Sequence, residues 1–302
     1  DACRFLLPAA AHANVGMTAN ARVLESAIRK MLSHPLAEVR QIGEKIKIAA
    51  QGEVPTLVKY ADSVSYLNET EKEFTALSKS CCAPMPAREK NVQLLDYDPT
   101  AENKILAAVL YRFGEMSFDQ ALHYVESLNE EERAEIAEKM LGNLGKFDIP
   151  LRELEYSTYA FDLLMDQGAY YEFKRHRMMT QTPQPLTANL AYPTPSLLTE
   201  AGFESRYVAA MDAAAETYQK IAAFNPHVAA YLVPNGFNRR VLTTFNLREA
   251  YHFCQLRAAK NAHFSIRHIA RKVYAEIEKH HPLLAKYMRF PEEETWQKHL
   301  SF

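Results

Sequence analysis

The stretch VLTTFNLREAYHF, Val241–Phe253, decides the fold because it joins a strand-like half to a helix-like half. The β-branched and aromatic residues of VLTTF favour a strand, and the apolar spacing that follows predicts a helix. We predict a strand over Arg239–Phe245 and a helix over Asn246–Leu256. Asn246 stands at the junction, where its side chain is well placed to cap the helix.

The same pattern occurs a second time, near the start of the chain. FLLPAAAHANVGMTANARVLESA, from Phe5, aligns at one constant offset with YLVPNGFNRRVLTTFNLREAYHF, from Tyr231. The matched pairs are Pro8 with Pro234, Thr18 with Thr244, Asn20 with Asn246, and Arg22 with Arg248; after a shift of one residue, Val39-Arg40 matches Ile266-Arg267, Pro55 matches Pro282, and Lys59-Tyr60 matches Lys286-Tyr287. Two merely similar amphipathic helix pairs would not keep a polar T-x-N-x-R in register, so we predict a repeated strand–helix–helix unit.

The T-x-N-x-R pattern has two interpretations. The Arg lies in the first turn of the helix, where a cation opposes the helix dipole. It therefore indicates an anionic partner, because phosphates favour helix N-termini. The alternative is an Asn cap followed by an Arg that is salt-bridged to an acidic neighbour such as Glu25 or Glu249. The residues alone leave both open.

Helices should dominate the rest of the chain, because it has only nine glycines in 302 residues. Further helices are predicted over Asn20–Leu32, Leu36–Ala50, Ala101–Phe113, Ser117–Ser127, Asn129–Leu141, Asp166–Lys174, Ser205–Ala223 and Ala262–His280. Further strands are predicted over Val92–Tyr97 and Leu154–Leu164. We interpret Ser63–Lys90 as a partly irregular connection. The predicted class is α+β, helix-rich with a small, mostly antiparallel sheet.

Composition restricts the class of protein. A chain with 48% hydrophobic and 24% charged residues has the profile of a globular protein with a substantial core. The formal net charge of -2 gives no general attraction to nucleic acid or to a membrane, and no apolar run has the length of a membrane span. The four cysteines show no CxxC spacing, which favours reduced thiols, a cytoplasmic location and no metal site.

A basic triplet stands in FKRHRMMTQTPQPL, Phe173–Leu186. Arg175, His176 and Arg177 follow an aromatic run and precede a polar loop that contains Pro183 and Pro185. Three neighbouring cations mark either a solvated corner or a place where an anion binds. The triplet alone does not decide between the two.

Together these motifs resemble the flavin-dependent thymidylate synthases (ThyX). The R-H-R triplet resembles that family's signature, and TFNLREAYHFCQLRAAKNAHFSIRHIA resembles its C-terminal segment. The resemblance implies an α+β ThyX-like fold whose active sites form between subunits of a homotetramer. It also implies FAD as cofactor, NADPH and methylenetetrahydrofolate as co-substrates, and dUMP as the nucleotide that is methylated.

The resemblance also implies roles for individual residues. Arg175, His176 and Arg177 would hold FAD and nucleotide phosphates. Asn246, Arg248 and His252 would lie along the flavin, as would Asn20 and Arg22 in the first repeat. Arg257 would face the pyrimidine as the catalytic cation, with Arg4 and Thr180 as further substrate-binding residues.

Several residues depart from the family pattern. Prolines stand at 183 and 185, where a Glu and a Ser are expected, and Glu172 replaces a Gln. Ala230 replaces a phosphate-binding Arg in the second repeat, and Met31 replaces the pyrimidine Arg in the first. One composite site is therefore expected rather than two intact ones.

The resemblance also predicts the domain organisation. Residues 1–62 would be the back half of a first ThyX-like repeat, 63–91 a linker, and 92–302 a second repeat, assembled as an oligomer or an intrachain pseudo-dimer. Three hypotheses follow: an active thymidylate synthase, a flavin- or nucleotide-binding protein without that activity, and a scaffold.

Overall fold

A computed structural model describes residues 2–81, 90–145 and 147–290. Within them, the helices and strands follow in chain order: α1 (Ala21–Leu32), α2 (Ala37–Gln51), α3 (Pro55–Val58), α4 (Ser65–Cys81), β1 (Val92–Tyr97), α5 (Ala101–Phe113), α6 (Phe118–Ser127), α7 (Glu130–Leu141), β2 (Thr158–Asp166), α8 (Gln167–Phe173), β3 (Thr180–Pro183), α9 (Ser196–Glu200), α10 (Glu204–Ala222), α11 (Pro226–Ala229), β4 (Asn238–Asn246), α12 (Leu247–Arg257), α13 (Phe264–His280) and α14 (Pro282–Ala285). Short 3₁₀ helices cover Ala2–Leu6, Arg152–Tyr156 and Ala230–Leu232.

The chain divides into two compact units. The first consists of Asp1–Ala9, Glu89–Tyr218 and Val233–Phe302, and the second of Ala10–Arg88 and Gln219–Leu232. None of the helices within the described residues is long and apolar enough to cross a membrane.

The first unit is built on a four-stranded sheet in the order β1-β2-β4-β3, with every neighbouring pair antiparallel. β4 is central and pairs with β2 from Thr158↔Asn246 to Asp166↔Asn238. The predicted class, α+β with a small antiparallel sheet, is confirmed.

Helix α13 packs on β1 and β2 and contacts α12 and α14. The core is largely aromatic where the strands meet these helices, and the rings of Phe161 and Phe245 stack 5.5 Å apart. Cys254 is fully buried there, as its place on an apolar helix face predicts, and burial raises the pKa of its thiol.

The N-terminal segment of the first unit pairs with residues 233–236. Pro8 forms an isolated antiparallel bridge with Pro234. Ala9 N–H donates to the Val233 carbonyl at 3.0 Å, and Asn235 N–H donates to the Leu7 carbonyl at 2.9 Å. In the predicted repeat Ala9 matches Asn235, and Leu7 matches Val233. Replacing each residue by its counterpart therefore turns one of these two hydrogen bonds into the other.

The second unit is small. α1, α2 and α3 enclose a core of four residues, Ile28, Ala50, Val58 and Ala61. Asn20 caps α1 by accepting a 2.9 Å hydrogen bond from Val23 N–H.

Two predictions about secondary structure differ from the structure in their extent. Much of the stretch interpreted as irregular is the 17-residue helix α4, because good helix formers precede the cysteine pair and the prolines; residues 82–89 of that stretch lie outside the described residues. The strand predicted from Leu154 begins only at Thr158, since Arg152–Tyr156 forms a 3₁₀ turn stapled by the Arg152–Glu155 ion pair.

Candidate functional site

A cavity of about 440 Å³ opens beside the first turns of α12 in the first unit. It is lined by Phe147, Asp148, Ile149, Pro150, Glu155, Met178, Asn246, Arg248, Glu249, Tyr251, His252, Gln255, Leu256, Ala259 and Arg289. The strand β4 ends at Asn246, whose side chain caps α12 by accepting from Glu249 N–H at 2.9 Å. The cap thus sets the direction of the helix that carries Arg248 and His252 to the cavity wall.

Arg248 is held in place from outside its helix. Its Nη1 lies 2.7 Å from Glu155 Oε1, and its Nε donates to the Pro150 carbonyl at 3.0 Å. Hydrogen bonds from Arg152 and then Arg248 lower the pKa of Glu155. Arg248 therefore has an acidic partner, as one interpretation of T-x-N-x-R predicted, but the partner is Glu155 and not its neighbour Glu249.

Glu249 instead binds the basic triplet. His176 is buried, and its Nδ1 lies 2.7 Å from Glu249 Oε1. Arg257 donates from Nε to His176 Nε2 at 3.0 Å. Because an arginine nitrogen can only donate, Nε2 must accept, so the His176 ring is the tautomer that carries its proton on Nδ1 and donates it to Glu249. The His252 ring lies 5.4 Å from that of His176, which links the triplet to the cavity.

Arg257 is engaged on its other side by Glu172. Its Nη1 lies 2.7 Å from Glu172 Oε2, and its side chain is largely buried. Glu172 Oε1 also accepts from the backbone N–H of His263 at 3.2 Å. The acid that departs from the family pattern thus neutralises the cation that was predicted to face the pyrimidine.

The N-terminal segment reaches the same neighbourhood through His263. The Phe5 ring packs 5.6 Å from the His263 ring, and the Arg4 carbonyl accepts a weak hydrogen bond from Asn235. Burial lowers the pKa of His263 to about 4; Glu172 opposes this effect, and Arg4 adds to it. Arg4 is therefore near His263, the residue whose backbone N–H donates to Glu172.

Lys174, Arg175 and Arg239 form a cationic surface. Arg177, the other outer member of the triplet, is exposed as well. Arg175 and Arg177 are exposed and have no polar side-chain partner among the described residues. Burial lowers the pKa of Lys174, and the charges of Arg239 and Arg175 lower it further. Arg239 lies over the Tyr170 ring at 4.6 Å and donates to the Gln184 carbonyl at 2.8 Å. Such a group of unneutralised cations attracts an anion.

Other predicted positions lie apart from the cavity lining. Thr180 begins β3, and its carbonyl accepts from Thr243 Oγ1; Pro183 ends that edge strand, where a missing backbone donor is tolerated. In the second unit, Asn20 is an exposed cap and Arg22 is exposed, without a polar partner among the described residues. Met31 lies in the last turn of α1, and Ala230 opens the 3₁₀ turn after α11.

Sequence reasoning missed several residues of the site. Glu155 gave no signal, because its partner Arg248 is distant in sequence. Arg289 donates to the Asp148 carbonyl at 2.8 Å and keeps a buried, unpartnered Nη1 on the cavity wall. Arg239 was visible only as one half of an Arg-Arg pair in a predicted strand.

The chain is similar to known proteins. A family model described as thymidylate synthase complementing protein matches residues 93–283. A UPF0159 protein of Chlamydia muridarum is 32% identical over 302 residues, which cover 96% of this chain and 57% of that relative. Another of Thermoplasma acidophilum is 27% identical over 300 residues, covering 96% and 59%. A flavin-dependent thymidylate synthase of Sulfolobus acidocaldarius is 33% identical over 142 residues, covering 44% of this chain and 55% of that enzyme. The chain therefore spans little more than half the length of these relatives.

Proposed function

The chain belongs to the thymidylate synthase complementing protein family, and from that premise we propose that it is a flavoprotein of the thymidylate synthase type. In this proposal the substrate is dUMP, which is reductively methylated with methylenetetrahydrofolate as the one-carbon donor and NADPH as the reductant. The observation that carries the proposal is the cavity at the start of α12, where Asn246, Arg248 and His252 lie together beside the buried His176.

The cavity suits a flavin ring. Its volume of about 440 Å³ is within the usual range for small-molecule sites. Apolar and aromatic walls, including Ile149, Leu256 and Phe147, suit a planar ring, and Arg248 and Arg289 supply donors at the polar edge. When FAD is bound, it supplies hydride transfer; the protein supplies position and electrostatics.

The chain's own residues would then divide the work. Arg248, fixed by Glu155 and the Pro150 carbonyl, would orient the ring. The cationic surface would take phosphates, because arginine forks bind phosphate oxygens in pairs. His176 would hold the triplet in place, since both nitrogens of its ring are hydrogen-bonded. The ring can move only if its bond to Glu249 or to Arg257 breaks.

A second function is favoured by one observation. Arg257, the proposed catalytic cation, is already neutralised by Glu172 and donates to His176. A group in that pair stabilises charge on a pyrimidine only after the pair opens. This favours a flavin- or nucleotide-binding protein without thymidylate synthase activity as the alternative.

The test is an absorbance titration of the purified protein with FAD. We expect a perturbed flavin spectrum, and at least ~10-fold weaker binding for Arg248→Ala and Arg175→Ala, which is the loss expected when a charged hydrogen bond is removed. Arg206→Ala is the matched control, because Arg206 is an arginine of the same unit that lies on α10 and packs over the Phe203 ring. A folded protein that takes up no flavin, or equal losses for all three variants, would contradict the proposal.

Addition of dUMP separates the two functions. A further spectral change on adding dUMP, with tritium release from 5-tritiated dUMP in the complete mixture, supports the enzyme. A bound flavin whose spectrum does not change on adding dUMP supports a binding protein without thymidylate synthase activity. The division into residues 1–62, 63–91 and 92–302, assembly as an oligomer or pseudo-dimer, and a cytoplasmic location remain part of this proposal; the free thiols of Cys3, Cys81 and Cys254 support the last.

A further inference from the structure

The segment before α1 matches a strand of the predicted repeat but belongs to no sheet itself. In the predicted repeat, residues 12–20 match β4, which is paired on both sides by β2 and β3. Within the described residues, the backbone of 11–19 makes no hydrogen bond to any other segment. Unpaired backbone groups of a strand are a template for pairing with another chain segment.

The side chains of this segment show the same contrast. Val15 is 86% exposed and Met17 is 58% exposed, whereas their counterparts Val241 and Thr243 are 0% and 1% exposed. Val241 and Thr243 are two residues apart, so their side chains lie on the same face of β4, the one that faces the core. The segment thus carries a core-facing side with no core against it.

The helices that follow expose matching apolar positions. Ile42 on α2 is 45% exposed, and its counterpart Ile269 on α13 is 2% exposed. Leu57 on α3 is 38% exposed, and its counterpart Leu284 on α14 is fully buried. In the first unit α13 packs on β1 and β2. The element that buries these positions in one repeat is therefore the sheet, and the other repeat lacks it.

Arg22 adds a charge to this uncovered face. Its counterpart Arg248 is bound by Glu155 and by the Pro150 carbonyl, both of which precede β2. Arg22 has no polar partner among the described residues. Whatever covers the face is thus expected to bring an acidic side chain to Arg22.

We propose that the face formed by residues 11–20 and the exposed side chains of α1, α2 and α3 is the docking surface for a strand-bearing segment built like Val92–Pro183 of this chain, carried on the same polypeptide in the longer relatives. Its counterpart of β2 pairs with residues 11–19, and its counterpart of Glu155 binds Arg22. A second copy of this chain does not supply these partners, because its β2 is already paired on both sides, by β1 and β4, and its Glu155 already binds its own Arg248. The proposal rests on the predicted repeat and not on flavin binding.

Hydrogen–deuterium exchange tests it on two intact proteins, this 302-residue chain and the full-length Chlamydia muridarum relative. In this chain we expect the amides of 11–19 to exchange at the rate of free peptide, while those of β4 are protected. In the relative we expect the matching segment to exchange at least ~100-fold more slowly, as paired strands do. An equally fast segment in the relative would overturn the proposal, as would a protected segment in this chain accompanied by a dimer in light scattering.

A pair of variants localises the effect. Ile42→Asp should leave this chain's stability nearly unchanged, and the matching substitution in the relative should abolish protection of the strand. Ile48→Asp is the matched control: Ile48 is exposed on the same helix, and its counterpart Ala275 is exposed as well. Loss of protection with both variants, or with neither, would count against docking on this face. Because neither readout involves flavin, failure here leaves the proposed function standing, and the reverse also holds.

Discussion

The two copies of T-x-N-x-R form the same local structure in different surroundings. Asn20 and Asn246 cap their helices in the same way, each accepting a 2.9 Å bond from the backbone three residues on. Beyond the cap the copies differ. Arg248 is bound to Glu155 and lies at a cavity, whereas Arg22 is exposed and Asn20 follows an unpaired segment.

The difference teaches what the motif encodes. A cap depends on residues within one turn, so it forms wherever the pattern occurs. The role of the arginine depends on residues far away in sequence, and these are supplied by the part of the chain between β1 and β3. A short motif therefore predicts a helix start in both copies but a binding site only where its distant partners are present.

The largest effect on stability is expected when the residue after each arginine is replaced by the one found in the other copy. Glu249 and Val23 are counterparts, and Glu249→Val leaves the buried Nδ1–H of His176 without an acceptor. We expect a loss of about 3 kcal/mol in the free energy of unfolding, the upper range for a buried donor that loses a charged acceptor. Val23→Glu, at an exposed position in a first turn without an acid, should be neutral or slightly stabilising. Denaturant titration of both variants measures the contrast.

The conservative variant Glu249→Gln provides the control. It keeps an oxygen that accepts from His176, so it should cost clearly less than Glu249→Val. Equal losses for Gln and Val, or a small loss for both, would mean that the pair with His176 does not stabilise the fold.

Asp166 ends β2, in the part of the chain that supplies the distant partners of Arg248. It is fully buried, accepts from Ser265 Oγ and caps α8 through Ala169 N–H at 2.8 Å. Burial raises the pKa of Asp166 from 3.8 to about 6, so the folded state binds this proton more tightly than the unfolded state. The contribution of Asp166 to stability therefore falls as pH rises from about 4 to 6 and stays low above that, at a cost of about 3 kcal/mol.

Asp166→Asn removes that dependence while keeping an acceptor for Ser265 and Ala169. Its unfolding free energy relative to the parent chain should increase between pH 4 and 6 and then level off, as followed by urea titration at several pH values. Taking the difference between the two proteins cancels the opposite effect of buried His263, whose pKa is lowered to about 4. A difference that is flat with pH would show that Asp166 is ionised freely in the folded state.

Much of the fold could be read from local pattern. The helix over Ala101–Phe113 and the strand over Val92–Tyr97 were predicted with the observed bounds, because their apolar spacing is clear and Gly114 follows the last helical residue. α4 was missed since the nearby prolines and cysteines outweighed its helix formers. Of the site, the T-x-N-x-R junction was predictable, but the partners Glu155, Glu172 and Glu249 were not, because which acid meets which base depends on tertiary packing.

A smaller difference in stability is expected between the variants Arg248→Ala and Arg22→Ala. Arg248→Ala should lower the free energy of unfolding by about 1 kcal/mol, because it breaks a partly exposed ion pair and a bond to the Pro150 carbonyl. Arg22→Ala should change it by less than about 0.5 kcal/mol, as for other exposed residues. The same two variants, tested by FAD titration, should differ in the same order. Equal effects would show that the two copies are in equivalent surroundings.

The smallest contrast concerns the two caps, where the copies are most alike. Asn246→Ala and Asn20→Ala each remove one hydrogen bond to a first-turn N–H, so each should cost about 1 kcal/mol of helix stability. The loss should be visible in different places, because Asn246 joins α12 to the central strand, whereas Asn20 follows a segment without backbone bonds. Hydrogen exchange should therefore show faster opening of the β4–α12 junction in the first variant and of α1 alone in the second. If Asn20→Ala also accelerates exchange in β4, the two caps are coupled through the fold, and the local reading of the motif is wrong.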